Sequence, residues 1–310
     1  MTRTPLVYVL SNGRSGSTLL ELLLDARTGV YSVGELQCLA GELARADARC
    51  GCGETHERCG FWRGALDAAG LDADDLNALA RFRDAQGRGK VLRPGELPGV
   101  LWPRPNAYAC LPQETLPPAQ QHYAELHERL FEAVARAAEA ERGEPLRYVV
   151  DASKDLYRLA WLAASSQREL RVIHLVRDPR AFVYSMWRPD QRAARAARFA
   201  LRWNVENALA ARFLRRALEP DQVRKVRYED LAREPQTVLD GLCDWLDLPR
   251  GPYTEGFRRH GHALAGNAMR WRDDEVRLDE RWRQELPERT ARGVWTLTAP
   301  LGRRWGYARS

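Results

Sequence analysis

Lysine is nearly missing from this chain. Of 48 basic residues only Lys90, Lys154 and Lys225 are lysine, so 45 are arginine, spread among alanines along the whole length. That bias empties the net charge of +6 of most of its meaning. A basic balance ordinarily points to nucleic acid or another polyanion, but arginine scattered this evenly marks no patch, and no nucleic-acid partner is expected. The same scarcity makes each surviving lysine stand out. Long apolar runs are missing too: none approaches the ~18 residues of a membrane span. The first apolar stretch, Leu6 to Leu10, has no basic run before it and no small-residue cleavage site after it. No span is expected, and a cytoplasmic location is. No repeat or low-complexity linker divides the 310 residues, whose 45% hydrophobic content is ample for a core. The expectation is one domain over 1–310, with a Cys-containing and Pro-rich insertion at about 45–120.

Cysteine is sparse, with six residues: Cys38, Cys50, Cys52, Cys59, Cys110 and Cys243. In a reducing compartment a disulfide framework is not expected. Cys50-Gly51-Cys52-Gly53 and Cys59 lie in a glycine-rich, charged segment, and zinc held by Cys38, Cys50, Cys52 and Cys59 is one reading of it. The C-x-C spacing is poorer than the C-x₂₋₄-C of structural zinc, so a loop of reduced thiols without metal is the preferred one. Proline, by contrast, is crowded. Seven of 17 prolines fall between Pro94 and Pro118, with Trp102 and Tyr108 among them, so neither a continuous helix nor a central strand can run there. A long aromatic loop over a site is expected.

What is present is organised around Ser11-Asn12-Gly13-Arg14-Ser15-Gly16-Ser17-Thr18, set between the apolar run ending at Leu10 and the helix-like Leu19 to Ala26. This is strand, tight loop, helix. Gly13 and Gly16 permit a loop that turns its amides inward, and Ser15, Ser17 and Thr18 add hydroxyls where a helix begins. Free N–H groups of a first helical turn and the helix dipole both favour an anion, and Arg14 adds a fixed charge. The nucleotide-triphosphate loop requires Lys after its second Gly, whereas Ser17 follows Gly16. A phosphorylated ligand is expected, bound otherwise than ATP.

Further along, Val30 to Val33 reads as a short strand ending at Gly34-Glu35, and a helical stretch follows from Asp72 to Ala85. Gln120 to Ala140 has helical composition. Leu146 to Val150 is a buried-type strand ending at Asp151-Ala152-Ser153-Lys154. A fourth strand, Arg171 to Val176, runs into Arg177-Asp178-Pro179, where Asp178 suits a helix N-cap and Pro179 the first helical position. A long helix over Gln191 to Leu218 and a strand from Val223 to Tyr228 complete the alternation. Strands alternating with helices predict an α/β fold of three layers, α/β/α, around a central parallel sheet. Its ligand should lie at the C-terminal strand ends, where Ser11–Thr18, Glu35, Asp151–Lys154, Arg177 and Tyr228–Asp230 would converge.

These residues resemble the sulfotransferase family that uses PAPS, 3′-phosphoadenosine 5′-phosphosulfate. Gly13 to Leu19 is similar to the family's 5′-phosphosulfate loop, and Leu175-Val176-Arg177-Asp178-Pro179-Arg180 through Ser185 to its 3′-phosphate motif, the two expected at opposite ends of the sheet. The likeness extends to Val226–Leu231 and to the tail His262–Arg270, and is weakest from about 45 to 145. It implies a P-loop-like sulfotransferase fold and PAPS as co-substrate, with PAP as product and no metal required. It implies cofactor contacts from Arg14, Ser15, Gly16, Ser17 and Thr18, from Arg177 and Ser185 over the 3′-phosphate, from Tyr228 against the adenine and from Arg270. Ser185 lies about 9 Å along its helix from Pro179, within reach of a phosphate held by Arg177.

Sulfonate transfer needs a base, in-line placement and positive charge at the leaving oxygen. Arg14 suits the last. Glu35 matches the base of the tyrosylprotein branch, and Lys154 matches a lysine that touches the transferring sulfonate. The cytosolic branch's Lys-x-His pattern fails, since Asp155 and Leu156 follow Lys154. Asp151 and Asp155 are lesser base candidates, and His174 reads as core. Plainer readings stand beside these: a solvated helix-start carboxylate for Glu35, a surface Lys154 or Arg270, an Arg177 paired with Asp178, a Tyr228 at the core edge. The expected acceptor is a small-molecule or glycan hydroxyl, with Trp102, Tyr108 and Phe61-Trp62 hinting at an aromatic or amphipathic compound. A P-loop kinase or NTPase acting on a small molecule is the alternative, with Asp151 as its magnesium ligand. A basic protein binding sulfated glycans or nucleic acid explains the charge but not the loop.

Overall fold

In a computed structural model of the chain, the structure describes residues 3–79, 118–165, 168–187, 193–252, 261–271 and 275–308. The elements run β1 (Leu6–Ser11), α1 (Ser17–Asp25), β2 (Val30–Gly34), α2 (Gly60–Ala69), α3 (Pro118–Arg142), β3 (Tyr148–Asp151), α4 (Leu156–Ser165) and β4 (Leu170–Val176). They continue with α5 (Pro179–Met186), α6 (Ala193–Ala217), β5 (Val223–Arg227), α7 (Tyr228–Arg233), α8 (Pro235–Trp245) and α9 (Glu288–Arg304). Residues 73–79 are helical, while the rest of the helix expected to Ala85 and the aromatic loop with Trp102 and Tyr108 lie outside the described residues.

Among the described residues the strands all pair parallel, in the order β2-β3-β1-β4-β5. Each parallel step needs a crossover, which the intervening helices supply on both faces. The period-2 alternation of β1 sorts its side chains. Leu6, Tyr8 and Leu10 face a core shared with Trp62, Phe131, Val134 and Phe213, from α2, α3 and α6. Val7 and Val9 face Leu20, Leu23, Leu24, Leu239 and Leu242, from α1 and α8. A third cluster, with Phe182, Trp203, Trp295 and Trp305, joins α5, α6 and α9. The architecture is the three-layer α/β/α fold the alternation predicts.

One expectation is corrected. β1 and β4 are hydrogen-bonded neighbours in register from Leu6↔Leu170 to Ser11↔Leu175, so the two loops that follow them stand side by side instead of at opposite ends. Strand order is not written in local sequence, because crossovers of similar length fit several orders. The C-terminal strand ends nevertheless gather the polar segments as expected, since parallel strands all finish on one edge.

Candidate functional site

The loop after β1 is fixed by two left-handed residues, Arg14 at φ 70° and Gly16 at φ 90°. At Gly16 the ring of Tyr228 occupies the place a Cβ would take, so glycine is required there twice over. The turn leaves the Arg14 side chain exposed and sends its carbonyl inward, where Arg177 Nη1 donates to it over 2.9 Å. Ser15 is fully buried, and its hydroxyl has no protein partner, nor do Ser11 Oγ and Arg177 Nε. Orphaned buried donors at the mouth of a helix are costly unless a ligand uses them. α1 begins at Ser17 without a side-chain cap, leaving its first amides and the positive end of its dipole for an anion. The residues present therefore fit a phosphate or phosphosulfate. Thr18 Oγ1 accepts from the backbone N–H of Asn267 (3.2 Å), which draws the tail over this turn.

Arg177 closes the neighbouring strand. Asp178 caps α5 by accepting from Arg180 N–H (2.8 Å), with Pro179 at the first position, as the sequence predicts. Its carboxylate pairs with Arg180 (2.8 Å) and not with Arg177. The guanidinium of Arg177 instead lies 4.5 Å from the centroid of Tyr228 and 3.4 Å from Asp279. Tyr228 thus offers Gly16 and Arg177 its ring contacts. Ser185 Oγ donates to the Phe182 carbonyl within its own helix (2.7 Å), a common back-bond for helical serine, and shares no hydrogen bond with Arg177 among the described residues.

Three residues of α6 that the sequence reading gave no role hold these two loops. Trp203 Nε1 donates to the Arg177 carbonyl (3.0 Å), Asn207 Nδ2 donates to Asn12 Oδ1, and Asn12 Nδ2 donates to Glu206. The i, i+3 and i+4 spacing of 203, 206 and 207 puts them on one helix face, a signal present in the sequence but too common to single out.

The strand ends of β2 and β3 contribute an ion pair. Gly34, at φ 71°, lies against the backbone of Leu264 where a side chain would not fit, and delivers Glu35, whose N–H donates to Leu264 O (2.9 Å). Lys154 Nζ donates to Glu35 Oε1, the two side chains being only 9% and 11% exposed. Lys154 sits at φ 66°, and its own N–H donates to Val9 O (3.2 Å), which brings the pair beside β1 and its loop. Neither residue is a solvated surface group.

Other candidates are drawn elsewhere. Asp151 is fully buried and receives Arg158 through two nitrogens (2.7 and 3.0 Å), so it is withdrawn from the edge and unsuited to magnesium. Asp155 accepts from Arg158 N–H (3.0 Å) at the start of α4. His174 is core, edge-on to Trp305 at 5.3 Å, with burial holding its pKa down to about 4. Arg270 is buried, donating to Ala263 O (2.8 Å) and pairing with Glu21 at 3.3 Å. It ties the tail to α1, and its guanidinium is engaged within the protein. Burial pushes Glu21 up to about 8 against the pull of Arg270. Phe61 and Trp62 are not an acceptor surface: Trp62 is fully buried, and Phe61 stacks 5.3 Å from Tyr31 and 4.7 Å from His262. Cys50, Cys52 and Cys59 do converge, but with His262 in place of Cys38.

Among solved structures, the sulfotransferase domain of the Synechococcus PCC 7002 olefin synthase superposes with a TM-score of 0.56 at 22% identity, over 100% of this chain and 97% of that one. The sulfotransferase domain from the curacin biosynthetic pathway gives 0.50 at 19% identity over all of both chains. These likenesses show the P-loop-like sulfotransferase fold. Mouse carbohydrate sulfotransferase 5 is 29% identical over 164 residues, and human carbohydrate sulfotransferase 6 is 27% identical over 164. Each match takes in 44% of this chain and 42% of the relative, so the chain matches less than half the length of either. A family model described as the sulfotransferase family matches residues 5–255, a span that holds all five strands, the phosphate loop and the Glu35–Lys154 pair. The chain belongs to the sulfotransferase family.

Proposed function

We propose that the chain moves the sulfonate group of PAPS to an acceptor hydroxyl, giving PAP and a sulfate ester. The observation that carries this reading is that one sheet edge holds both an anion-ready loop and a buried Glu35–Lys154 pair. A binding module would need only the loop. PAPS supplies a sulfonate already activated by its link to a phosphate. Arg14 and the free amides at the start of α1 hold the 5′-phosphosulfate and the charge that grows on the leaving oxygen. Arg177 lies beside that loop as the anchor for a second phosphate. Glu35 takes the proton of the acceptor hydroxyl while the new S–O bond forms, the S–O bond to phosphate breaks, and the electron pair leaves with PAP. Lys154 orients the Glu35 carboxylate and faces the transferring sulfonate. The acceptor is a sugar or small-molecule hydroxyl. The names of the two mammalian relatives, both carbohydrate sulfotransferases, support the sugar.

The kinase alternative loses its metal ligand, because Asp151 is tied to Arg158. A thermal-shift panel of PAP, ADP, ATP with magnesium, and NADP tests the reading. PAP without magnesium should stabilise the protein, by about 2.7 kcal/mol at 100 times its dissociation constant. Stabilisation by magnesium-ATP with none from PAP would reverse it.

A further inference from the structure

Cys50, Cys52, Cys59 and His262 place their ligand atoms within 4.8 Å of one another. Cys59 Sγ lies 3.6 Å from Cys50 Sγ and 4.0 Å from Cys52 Sγ, and His262 Nδ1 lies 3.2 Å from Cys59 Sγ and 3.5 Å from Cys50 Sγ. A tetrahedron with Zn–S of about 2.3 Å and Zn–N of about 2.0–2.1 Å has edges of about 3.8 Å between sulfurs and about 3.5 Å between sulfur and nitrogen. The observed edges scatter around those lengths. The other nitrogen of the ring, Nε2, faces Glu141 Oε2 at 3.4 Å, the carboxylate–histidine arrangement that fixes which nitrogen turns to a metal. Tyr31 OH donates to the same Glu141 oxygen (2.8 Å), and the imidazole stacks parallel on Phe61 with 1° between the planes. The ring is held from three sides.

The backbone is shaped to the same end. Cys50 N–H donates to Glu54 O (2.9 Å) and Gly53 N–H to Cys50 O (2.9 Å), a tight turn that Gly53 closes at φ 91° and that sets Cys50 and Cys52 facing one point. Cys59 stands at the head of α2. Cys50 and Cys59 are 0% and 1% exposed at the edge of the core, and the convergence of three thiols and an imidazole adds a set of soft donor atoms to that packing.

We propose that Cys50, Cys52, Cys59 and His262 bind a structural zinc ion that staples the 48–60 loop to the tail segment 261–264. Four protein ligands close the coordination sphere, which is the structural and not the catalytic form, and three thiolates with one imidazole select zinc over harder cations. Binding exchanges thiol protons for Zn–S bonds, releasing the protons to solvent and moving no electrons. The staple matters to the transferase site through the backbone. Gly51 N–H donates to Ala263 O (3.1 Å), Trp62 Nε1 to His262 O (2.7 Å), and Glu35 N–H to Leu264 O (2.9 Å). The segment fixed by the metal is therefore the one that frames Glu35.

The test is elemental analysis of the full chain purified with zinc, together with cobalt substitution. Stoichiometric zinc that survives gel filtration is expected, and cobalt should give the intense visible bands of a tetrahedral, thiolate-rich site. Cys59→Ser should lose the metal, Cys38→Ser should keep it, and His262→Cys should keep it with a shifted cobalt spectrum. Glu141→Gln should weaken zinc affinity about 10–100-fold. Should the cysteine variants fail to fold, alkylation mapping of the parent chain decides: Cys50, Cys52 and Cys59 should be protected until a chelator is added. Metal-free protein whose cysteines alkylate equally with and without chelator, or a Cys50–Cys59 disulfide with no metal, would overturn the proposal.

Discussion

The anion cradle and the cysteine cluster are built on opposite principles. In the cradle, residues 6–25 and 170–186 are each a continuous strand, turn and helix, and the binding groups come from the short turn between strand and helix. In the cluster, Cys50 and His262 are 212 residues apart and meet only because the tail pairs Leu264 with Gly34 at the sheet edge. The cradle uses backbone amides and left-handed residues, so its geometry survives many side-chain changes. The cluster uses four side chains, each of which has to present a ligand atom at one point. A local device can be recognised from spacing; an assembled one only from the fold. Glu35 stands where they meet, its carboxylate on Lys154 beside β1 and its N–H on the tail.

The largest expected effect lies at that meeting point. Glu35→Gln should lower turnover by about 10²–10⁴-fold while leaving PAP binding and zinc content intact, measured as PAP release beside direct PAP titration. Near-normal turnover would remove Glu35 from the reaction and pass the role of base to Asp155.

A smaller effect should break the cradle alone. Arg177→Ala removes the donor to the Arg14 carbonyl and the charge facing the Ser15 side of the loop, and should weaken PAP by about 10–100-fold, the worth of one charge-assisted contact. Lysine at that position should restore only part, keeping charge but losing the fork. Unchanged PAP affinity with lowered thermal stability would make Arg177 a purely structural link between β4 and Tyr228.

The smallest effect is a pH dependence at the seam between the two regions. Glu21, paired with Arg270 under the tail, has its carboxyl raised from 4.5 to about 8, with burial the first cause. A raised carboxyl stabilises the folded state most below its unfolded value of 4.5, and that contribution is lost as pH climbs through 8. The stability of the parent relative to Glu21→Gln should therefore fall between pH 7 and 8 by on the order of 1 kcal/mol, or about 2–4 °C in melting temperature. A difference that stays flat over that range would mean the Arg270 pair, and not burial, governs Glu21.

Most of the fold was legible because its signals are local. The alternating faces of β1, the Asp178 cap with Pro179, and Gly16 before a helix each report within a few residues. What escaped the sequence is what depends on tertiary partners. Asp151 looks like an edge carboxylate until Arg158, seven residues on, folds back onto it. Phe61 and Trp62 look like a binding surface until His262 and Tyr31 cover them. Cys38 was grouped with the other cysteines by nearness in sequence, while His262, the residue that completes the set, lies beyond any spacing rule. The 45 arginines of the chain hid Arg158 by sheer abundance.

The backbone pairing of Leu264 with β2 carries one more consequence, for solubility. β2 and β5 are the two borders of the sheet, and a bare border strand is a template for another chain. β5 reads Val-Arg-Lys-Val-Arg and is guarded by its own charge. β2 reads Val-Tyr-Ser-Val-Gly, uncharged and apolar, and its guard is borrowed: Leu264 N–H donates to Val33 O (2.8 Å), and the Asp25 carboxylate takes the Ser32 N–H (2.7 Å). Lifting a few residues of the tail uncovers a sticky strand while the rest of the sheet is still folded. The exposure of that border is thus expected to follow the hold of one short segment more closely than the global stability of the fold.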